Sequence, residues 1–536
     1  MNNQGVQHNQ KHFAGNYLQS DAERYLIQNQ FNGQYTGKRV ALIGYGVTGK
    51  ACADYLISMG SNVDIFDKTL DLATVESFIH THKADINFFQ ISQSLDLVDY
   101  DYVVVSPGVN LDQVFIQNFI KVKPNNLLGE IELFCQAINA LNEQKVANAE
   151  STIKIIAVTG SNGKSTVVDM LTKSLSACGI KTGLGGNFGT AALALIDSSY
   201  DVIVLELSSF QLESTTSLKA DIACVLNVSA DHLDRHGNLQ RYADIKRTIY
   251  KQAENIIFNQ DDTLTQPLKN HLVEGQVIEI SSKLSVNETS NLHQLVSYDG
   301  NTIFYQHLPF ISQSELTEVN PMGNVSDFQM FNIQVVLTCA HLLKVDLDLV
   351  KQSILHYRGL SHRFETVKNI ISPFTELKDK NQLLTNNVAS LKWINDSKAT
   401  NPGAAVAAIR SLVNQKQANS YIFLIAGGDA KCADKNSKDM LTLANAIKEC
   451  VGGLILIGKD ANLFVSMHKN NYTVDTLEEA VDKAYQHILT MRFELPTDII
   501  ILLSPACASL DMFDNYQQRG AIFVEAVNKV GKQCSN

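Results

Sequence analysis

The sequence predicts three consecutive α/β domains: an N-terminal Rossmann-like domain, a central P-loop ATPase-like domain and a C-terminal Rossmann-like domain. Three observations predict it. Short apolar strands without strict polar alternation keep alternating with helical stretches, the pattern of parallel sheets covered on both faces. Two separate glycine-rich turns each follow a strand and open a helix. A chain of 536 residues is also too long for a single hydrophobic core.

Residues 1–37 are rich in Asn, Gln and His and read as a polar extension, without the apolar run of a signal peptide. RVALIGYGVTGKACADYLISMG, SNVDIFD and DYVVVSPG then read as strand, glycine turn, helix, strand and strand, which sets a first domain over 38–150. The second domain, over 151–358, opens with IKIIAVTGSNGKSTVVDMLTKSLSACG, whose helix should stop near Gly179. DVIVLELSS and DIACVLNVSADH follow as parallel strands. From about Leu264 to Met322 the pattern weakens, and DFQMFNIQVVLTCAHLLKV is helical again. The third domain, over 359–536, contains GLSHRFE, LKWINDSKATNPGAAVAAIRSL, YIFLIAGGDAK, GGLILIG and DIIILLSPACASL. Asn401 before Pro402 is the signature of an N-cap followed by proline in the first turn. Trp393 and the apolar stripe of TLEEAVDKAYQHIL are expected in the core.

Apolar residues at 45% and charged residues at 18% describe a globular protein. A formal net charge of −11 argues against a nucleic-acid partner. The nine cysteines include no CxxC pair, so neither zinc nor a disulfide framework is expected, and a reducing, cytoplasmic setting fits. No apolar run reaches the roughly 18 residues that span a bilayer, so no membrane insertion is expected. A monomer is expected.

The first glycine turn, Gly44-Tyr-Gly46-Val47-Thr48-Gly49, with Asp67 ending the next strand, meets most of the dinucleotide fingerprint. Glycines let the backbone approach a pyrophosphate and a helix N-terminus stabilises its charge, so NAD, a UDP-sugar and a plain tight turn all stay open. The second turn, Gly160-Ser161-Asn162-Gly163-Lys164-Ser165-Thr166, is built to cradle phosphates. Lys164 can reach the β- and γ-phosphates and Ser165 can hold Mg²⁺. It departs from the usual P-loop, because Val158 stands at the first glycine position. Glu206 ends a parallel strand where it can bind or orient Mg²⁺, and His232 ends the next as a candidate second ligand. Asp231 and Asp234 read as local capping or hydrogen-bonding groups. In the third domain the polar run Asn395 to Asn401 and the segment His362-Arg363-Phe364-Glu365 suit nucleotide and carboxylate contacts. Lys431 and Ser509 are surface residues unless their loops converge.

Together these motifs resemble the Mur ligase family. GSNGKST, ELSSFQL, NVSADHLDRHG, HRFE, NDSKATN, GGDAK and LLSPACASLDMFDNYQQRG match in order over nearly the whole chain after Gly37. NDSKATN with SPACASLD resembles the member of the family that adds D-glutamate. The resemblance implies ATP as cosubstrate, Mg²⁺ as cofactor, and UDP-N-acetylmuramoyl-L-alanine and D-glutamate as substrates of an acyl-phosphate amide ligase in peptidoglycan synthesis. It implies ATP and metal roles for Lys164, Ser165 and Glu206, a second metal at His232, and a carbamylated lysine at Lys246. Arg363, Asp396 and Lys398 would then contact adenine nucleotide, and Thr400, Lys431, Ser509 and Tyr516 would hold glutamate. Gly46, Val47, Thr48, Asp67, Ser106, Gly108 and Asn187 would serve the UDP substrate.

Three departures from the family pattern stand out. Asp67-Lys68-Thr69 replaces Asp-Thr-Arg, Asp327-Phe328-Gln329 replaces part of Gly-x-His-Asn, and Tyr516 stands where Phe is expected. Rival expectations are another Mur-type or folylpolyglutamate-type ligase and an NAD-dependent oxidoreductase.

Overall fold

The computed structural model describes residues 34–69, 86–92, 95–197, 199–269, 275–281, 295–319, 326–372, 379–414, 419–430 and 437–530. The polar extension, apart from its last four residues, lies outside them. Those four form a turn, and Tyr35 is buried, donating its hydroxyl to Gln136 at 2.5 Å, so the turn belongs to the first domain's packing.

The first sheet has five parallel strands, β1 (Arg39–Ile43), β2 (Asn62–Asp67), β3 (Asn87–Gln90), β4 (Tyr102–Val105) and β5 (Leu127–Gly129), in the order β3-β2-β1-β4-β5. The direction of winding reverses between β1 and β4, which opens a crevice at their carboxyl ends. Helix α1 (Val47–Ser58) starts there.

The second sheet comprises β6 (Lys154–Thr159), β7 (Thr182–Gly186), β8 (Val202–Glu206), β9 (Ile222–Val225), β10 (Asn255–Asn259) and β11 (Val277–Ile280), ordered β11-β10-β9-β6-β8-β7. Its β6 lies between β8 and β9, so the turn into helix α2 (Lys164–Ala177) is flanked by the ends of both. Helix α2 ends two residues before Gly179, which takes a left-handed φ of 80°. The stretch with the weak sequence pattern forms β11 and an antiparallel meander, β12 (Val296–Tyr298), β13 (Thr302–Tyr305) and β14 (Leu308–Ser312). A short helix (Gln313–Val319) follows the meander. Helix α3 (Asp327–Leu342) covers the sheet with twelve buried residues.

The third sheet contains β15 (Glu365–Ile371), β16 (Val388–Asn395), β17 (Ser420–Gly427), β18 (Gly453–Ile457), β19 (Asn471–Thr473) and β20 (Thr497–Leu503), ordered β15-β16-β20-β17-β18-β19. Only β15 runs antiparallel to its neighbour. Register sets Asn395 of β16 against Leu503 of β20, so the NDSKATN and SPACAS loops leave the sheet side by side. Helix α4 (Pro402–Asn414) begins after Asn401, whose side-chain oxygen accepts the amide of Ala404 at 2.8 Å. Trp393 and the inner face of the helix Leu477–Thr490 are buried, as the sequence predicts.

The three domains are joined in two different ways. One apolar cluster runs from the first sheet through the helix Glu130–Ala147 into one face of the second sheet. The third domain's two clusters contain only residues from 364 to 530.

Candidate functional site

The turn from β6 into α2 is pinned by the strand beside it. Ser161 and Asn162 donate their backbone amides to the carbonyl and side-chain oxygens of Asn227, at 2.9 and 2.8 Å, and Ser161 Oγ donates to Ser229 O at 3.0 Å. Gly163 takes a left-handed φ of 85°, and a Cβ there would crowd Phe328 and Asn332 of α3. Such a turn aims free amides outward at a helix N-terminus, an anion site.

Charge concentrates on this loop. Lys164 Nζ donates to the carbonyls of Gly160 and Ser161 at 2.7 and 3.0 Å. Lys246 Nζ, fully buried, donates to the same Gly160 carbonyl at 3.0 Å and lies over the Tyr242 ring. Burial pushes both lysines down from their ordinary range, and Lys164 lowers Lys246 further. Two ammonium groups sharing one acceptor favour a neutral Lys246. Glu206, buried at the end of β8, accepts from Ser165 Oγ and, at 2.6 Å, from Asn187 Nδ2. Asn187 thus stands on Glu206. His232 has a left-handed φ of 54° and sets its ring 4.8 Å from that of Phe210.

Facing the loop across a cavity of about 560 Å³ is the third domain. Asn162, Gly163 and Thr166 line one side and Arg363, Asp396 and Lys398 the other. Asp396 accepts the amide of Phe364 at 3.1 Å and the hydroxyl of Ser504 at 3.0 Å, and burial lifts its carboxyl to about 7. Burial, with Arg363 and Lys164, lowers Lys398 to about 8, and its ammonium lies 4.4 Å from the Tyr516 ring centre. Phe328 and Gln329, which depart from the family pattern, both line the cavity. Beside them Asn332 Oδ1 is buried without a hydrogen-bond partner, ready to accept from a ligand.

The first domain's turn is a different kind of site. Gly44 takes φ 91°, and a Cβ on Gly49 would strike the Gly44 carbonyl, so helix and strand meet only because glycine stands there. Gly46 and Gly108 have open space around them, and Val47 is 83% exposed. Asp67 has one oxygen on the Tyr45 amide at 2.5 Å and the other on the Thr69 amide at 3.1 Å. A carboxylate so engaged shapes the turn and keeps a further lone pair on each oxygen.

The structure therefore brings Gly160 to Thr166, Glu206, Asn187 and Lys246 together, and sets Arg363, Asp396 and Lys398 opposite. Thr400 and Ser509 stand on the loops that follow β16 and β20, and Tyr516 opens the helix Tyr516–Lys529, where Ser397 Oγ donates to Tyr516 O at 2.8 Å. Lys431 lies outside the described residues, and so does the side chain of Asp234.

Sequence reasoning missed three residues. Asp231, expected as a local capping or hydrogen-bonding group, accepts from Asn401 Nδ2 of the third domain at 3.2 Å. Arg519, fully buried, donates to Ser397 O, Ser397 Oγ, Cys507 O and Ala508 O, which clamps the two converging loops. Its spacing from the buried Phe523, Ala526 and Val527 was the available signal, since a charge on an apolar helical stripe must find partners inside. Asn332 carried the same signal among the apolar residues of α3.

A phosphate loop on one α/β domain, closed over by another that carries cations, defines a nucleotide-using enzyme of multidomain α/β type. The comparisons make this specific. Residues 158–339 match the model of the Mur ligase middle domain, and residues 38–124 that of the Mur ligase MurD-like N-terminal domain. The UDP-N-acetylmuramoylalanine--D-glutamate ligase of Haemophilus influenzae (strain PittEE) is 32% identical over 493 residues, covering 91% of this chain and 98% of that protein. The enzyme of the same name from Colwellia psychrerythraea is 34% identical over 517 residues, with 93% and 98% covered. Among solved structures, MurF from Acinetobacter baumannii shares the fold with a TM-score of 0.54 at 14% identity, covering 94% of this chain and 98% of that one. The chain belongs to the Mur ligase family. Among the described residues no helix is long and apolar enough to cross a membrane.

Proposed function

We propose that the chain joins UDP-N-acetylmuramoyl-L-alanine to D-glutamate through an acyl phosphate made with ATP. The carrying observation is the phosphate loop facing Arg363, Asp396 and Lys398 across one cavity, in a chain whose relatives are named for that reaction. The substrate carboxylate attacks the γ-phosphorus as the bond to the ADP oxygen breaks. Amides at the start of α2 donate to the phosphate oxygens, and Lys164 leaves the Gly160 and Ser161 carbonyls for the γ-phosphate. Arg363 and Lys398 contribute positive charge from the other wall, Asp396 orients the nucleotide, and Asn332 Oδ1 accepts from the base. The unprotonated amine of D-glutamate then adds to the acyl carbon. The tetrahedral intermediate expels phosphate and loses the amine proton, leaving the amide.

Thr400, Lys431, Ser509 and Tyr516 hold D-glutamate in this reading. Gly46, Val47, Thr48, Asp67, Ser106 and Gly108 serve the UDP substrate, and Asn187 lines its inner end.

Among the described residues no group of three or more His, Cys, Asp or Glu stands ready for a metal. The bonded pair Ser165 and Glu206 nevertheless fits Mg²⁺, which takes much of its shell from water and phosphate oxygens. His232 and a carbamylated Lys246 would complete a second position. The burial that lowers the Lys246 ammonium supports this, because only an unprotonated amine adds to carbon dioxide. When bound, Mg²⁺ neutralises charge on the transferring phosphoryl group. ATP as cosubstrate supports a cytoplasmic location.

The test follows phosphate and ADP release while each substrate is omitted in turn. Release should require all three, and full turnover without D-glutamate would contradict the reading. Lys164→Met should lower kcat by at least about 10²-fold while leaving the melting temperature unchanged.

A further inference from the structure

The short helix Leu233–His236 follows His232 and carries Arg235, which no motif assigned. Arg235 Nη2 donates to Glu213 Oε2 at 2.6 Å, and Nη1 crosses the domain boundary to the Pro107 carbonyl at 3.3 Å. Its guanidinium lies over the Phe210 ring at 4.6 Å. That ring also packs His232 and His236, at 4.8 and 5.3 Å. The other oxygen of Glu213 stands 3.3 Å from His236 Nδ1, and His236 Nε2 is 3.0 Å from Ser209 Oγ. On the first domain, Ser106 Oγ donates to Gly44 O at 2.7 Å, tying the Ser106-Pro107-Gly108 turn to the glycine turn. One chain of contacts therefore runs from His232 to Gly44.

A planar guanidinium held by a carboxylate, a carbonyl and an aromatic face has little freedom left. Both side chains of the ion pair are only 11% exposed, so water screens it little. Burial raises the Glu213 carboxyl, but His236 and Arg235 outweigh it and hold the group below its ordinary range, as an anion.

We infer that Arg235 is a positioning residue for the UDP substrate: anchored by Glu213 and Phe210 on the second domain, it fixes the Ser106-Pro107-Gly108 turn relative to the phosphate loop. The inference rests on the proposed function for the identity of what binds at that turn. A substrate seated at one end on the first domain must present its carboxylate to a γ-phosphate on the second. An error of about 1 Å in the distance between the two seats is enough to cost catalysis heavily.

Steady-state kinetics on the full chain tests this, varying UDP-N-acetylmuramoyl-L-alanine, ATP and D-glutamate separately. Arg235→Gln should raise KM for the UDP substrate about tenfold and leave the other two within about twofold. Arg235→Lys, which keeps charge without the fork, should recover part of the loss, and Glu213→Gln should shift the same KM in the same direction by less. If Arg235→Gln does not fold, the other two variants carry the test. A role in stability alone would raise all three constants together or lower only the melting temperature, and either result overturns the inference, as does an unchanged KM in every variant. A wild-type chain that makes no ADP with all three substrates would sink the proposed function and this inference together; wild-type turnover with unshifted variants sinks the inference alone.

Discussion

The first and second domains meet through a shared apolar core, whereas the second and third meet through polar contacts around a cavity. At the first junction, Glu132 of the helix Glu130–Ala147 accepts the amides of Thr216 and Ser217 at 2.6 and 2.9 Å, and Phe134 beside it is completely buried. At the second, Asp439 accepts the amide of Ala230 at 3.1 Å and Asp231 accepts from Asn401 at 3.2 Å. A core must be broken to separate the first pair, while hydrogen bonds that water replaces suffice for the second. The difference assigns the motions. On the proposed function, the seat of the UDP substrate and the phosphate loop should keep a fixed separation, and the third domain should be the one that opens to admit nucleotide and closes for chemistry.

Breaking the first junction should give the largest effect. Phe134→Ala removes a buried aromatic from the cluster shared by both domains and should lower stability by about 3–5 kcal/mol in chemical denaturation. A loss below about 1 kcal/mol would mean the two domains do not fold as one unit.

Next in size is the acidity of the same junction. Glu130 is buried, with an oxygen 3.4 Å from the Leu193 amide, and burial raises its carboxyl to about 7. The folded state therefore holds a proton that the unfolded chain releases near pH 4.3. The associated stability is complete below that value and is lost as pH rises through about 7, a change of up to about 3 kcal/mol. Denaturation midpoints at pH 6 and 8 should differ in that sense, and Glu130→Gln should flatten the difference.

The two junctions were also unequally legible in the sequence. Strand and helix order, the N-cap at Asn401 and the end of α2 could be read because they depend on local spacing and on single residues with special backbone preferences. The phosphate loop could be read for the same reason. What could not be read was which carbonyl or amide a side chain meets across a boundary. Asp231 reads as a local capping or hydrogen-bonding group because its bond to Asn401 spans 170 residues, and nothing local shows that Asn187 meets Glu206. The meander over 296–312 was missed for another reason: its strands are only three to five residues long, too short to show a period.

Across the second junction the expected effects are kinetic. Lys398 faces the phosphate loop with its ammonium lowered to about 8 by burial and by Arg363 and Lys164. Its charge is present below that pH and is lost above it, so KM for ATP should rise about tenfold between pH 7 and 9.5. Lys398→Arg keeps its charge throughout this range and should remove that limb, whatever it does to the maximum rate. A limb unchanged in the variant would assign the titration to another group.

The smallest effect belongs to the contact that closes the domain. Asp439 sits in the first turn of the helix Lys438–Cys450 and touches the second domain through one bond to a backbone amide, just before Asp231 and His232. Asp439→Ala leaves both domains' cores intact, so the melting temperature should stay within about 2 °C. The closed arrangement alone loses a charged hydrogen bond at a partly wet boundary, worth about 1 kcal/mol, which shifts an open-closed equilibrium by about fivefold at most. The shift should appear as a lower kcat and weaker D-glutamate binding, because that substrate is used only when the third domain is closed. ATP binding to the second domain's loop should change less. Equal losses for both ligands would mean that closure precedes nucleotide binding, and a fall in melting temperature without a kinetic change would make the second junction as fixed as the first.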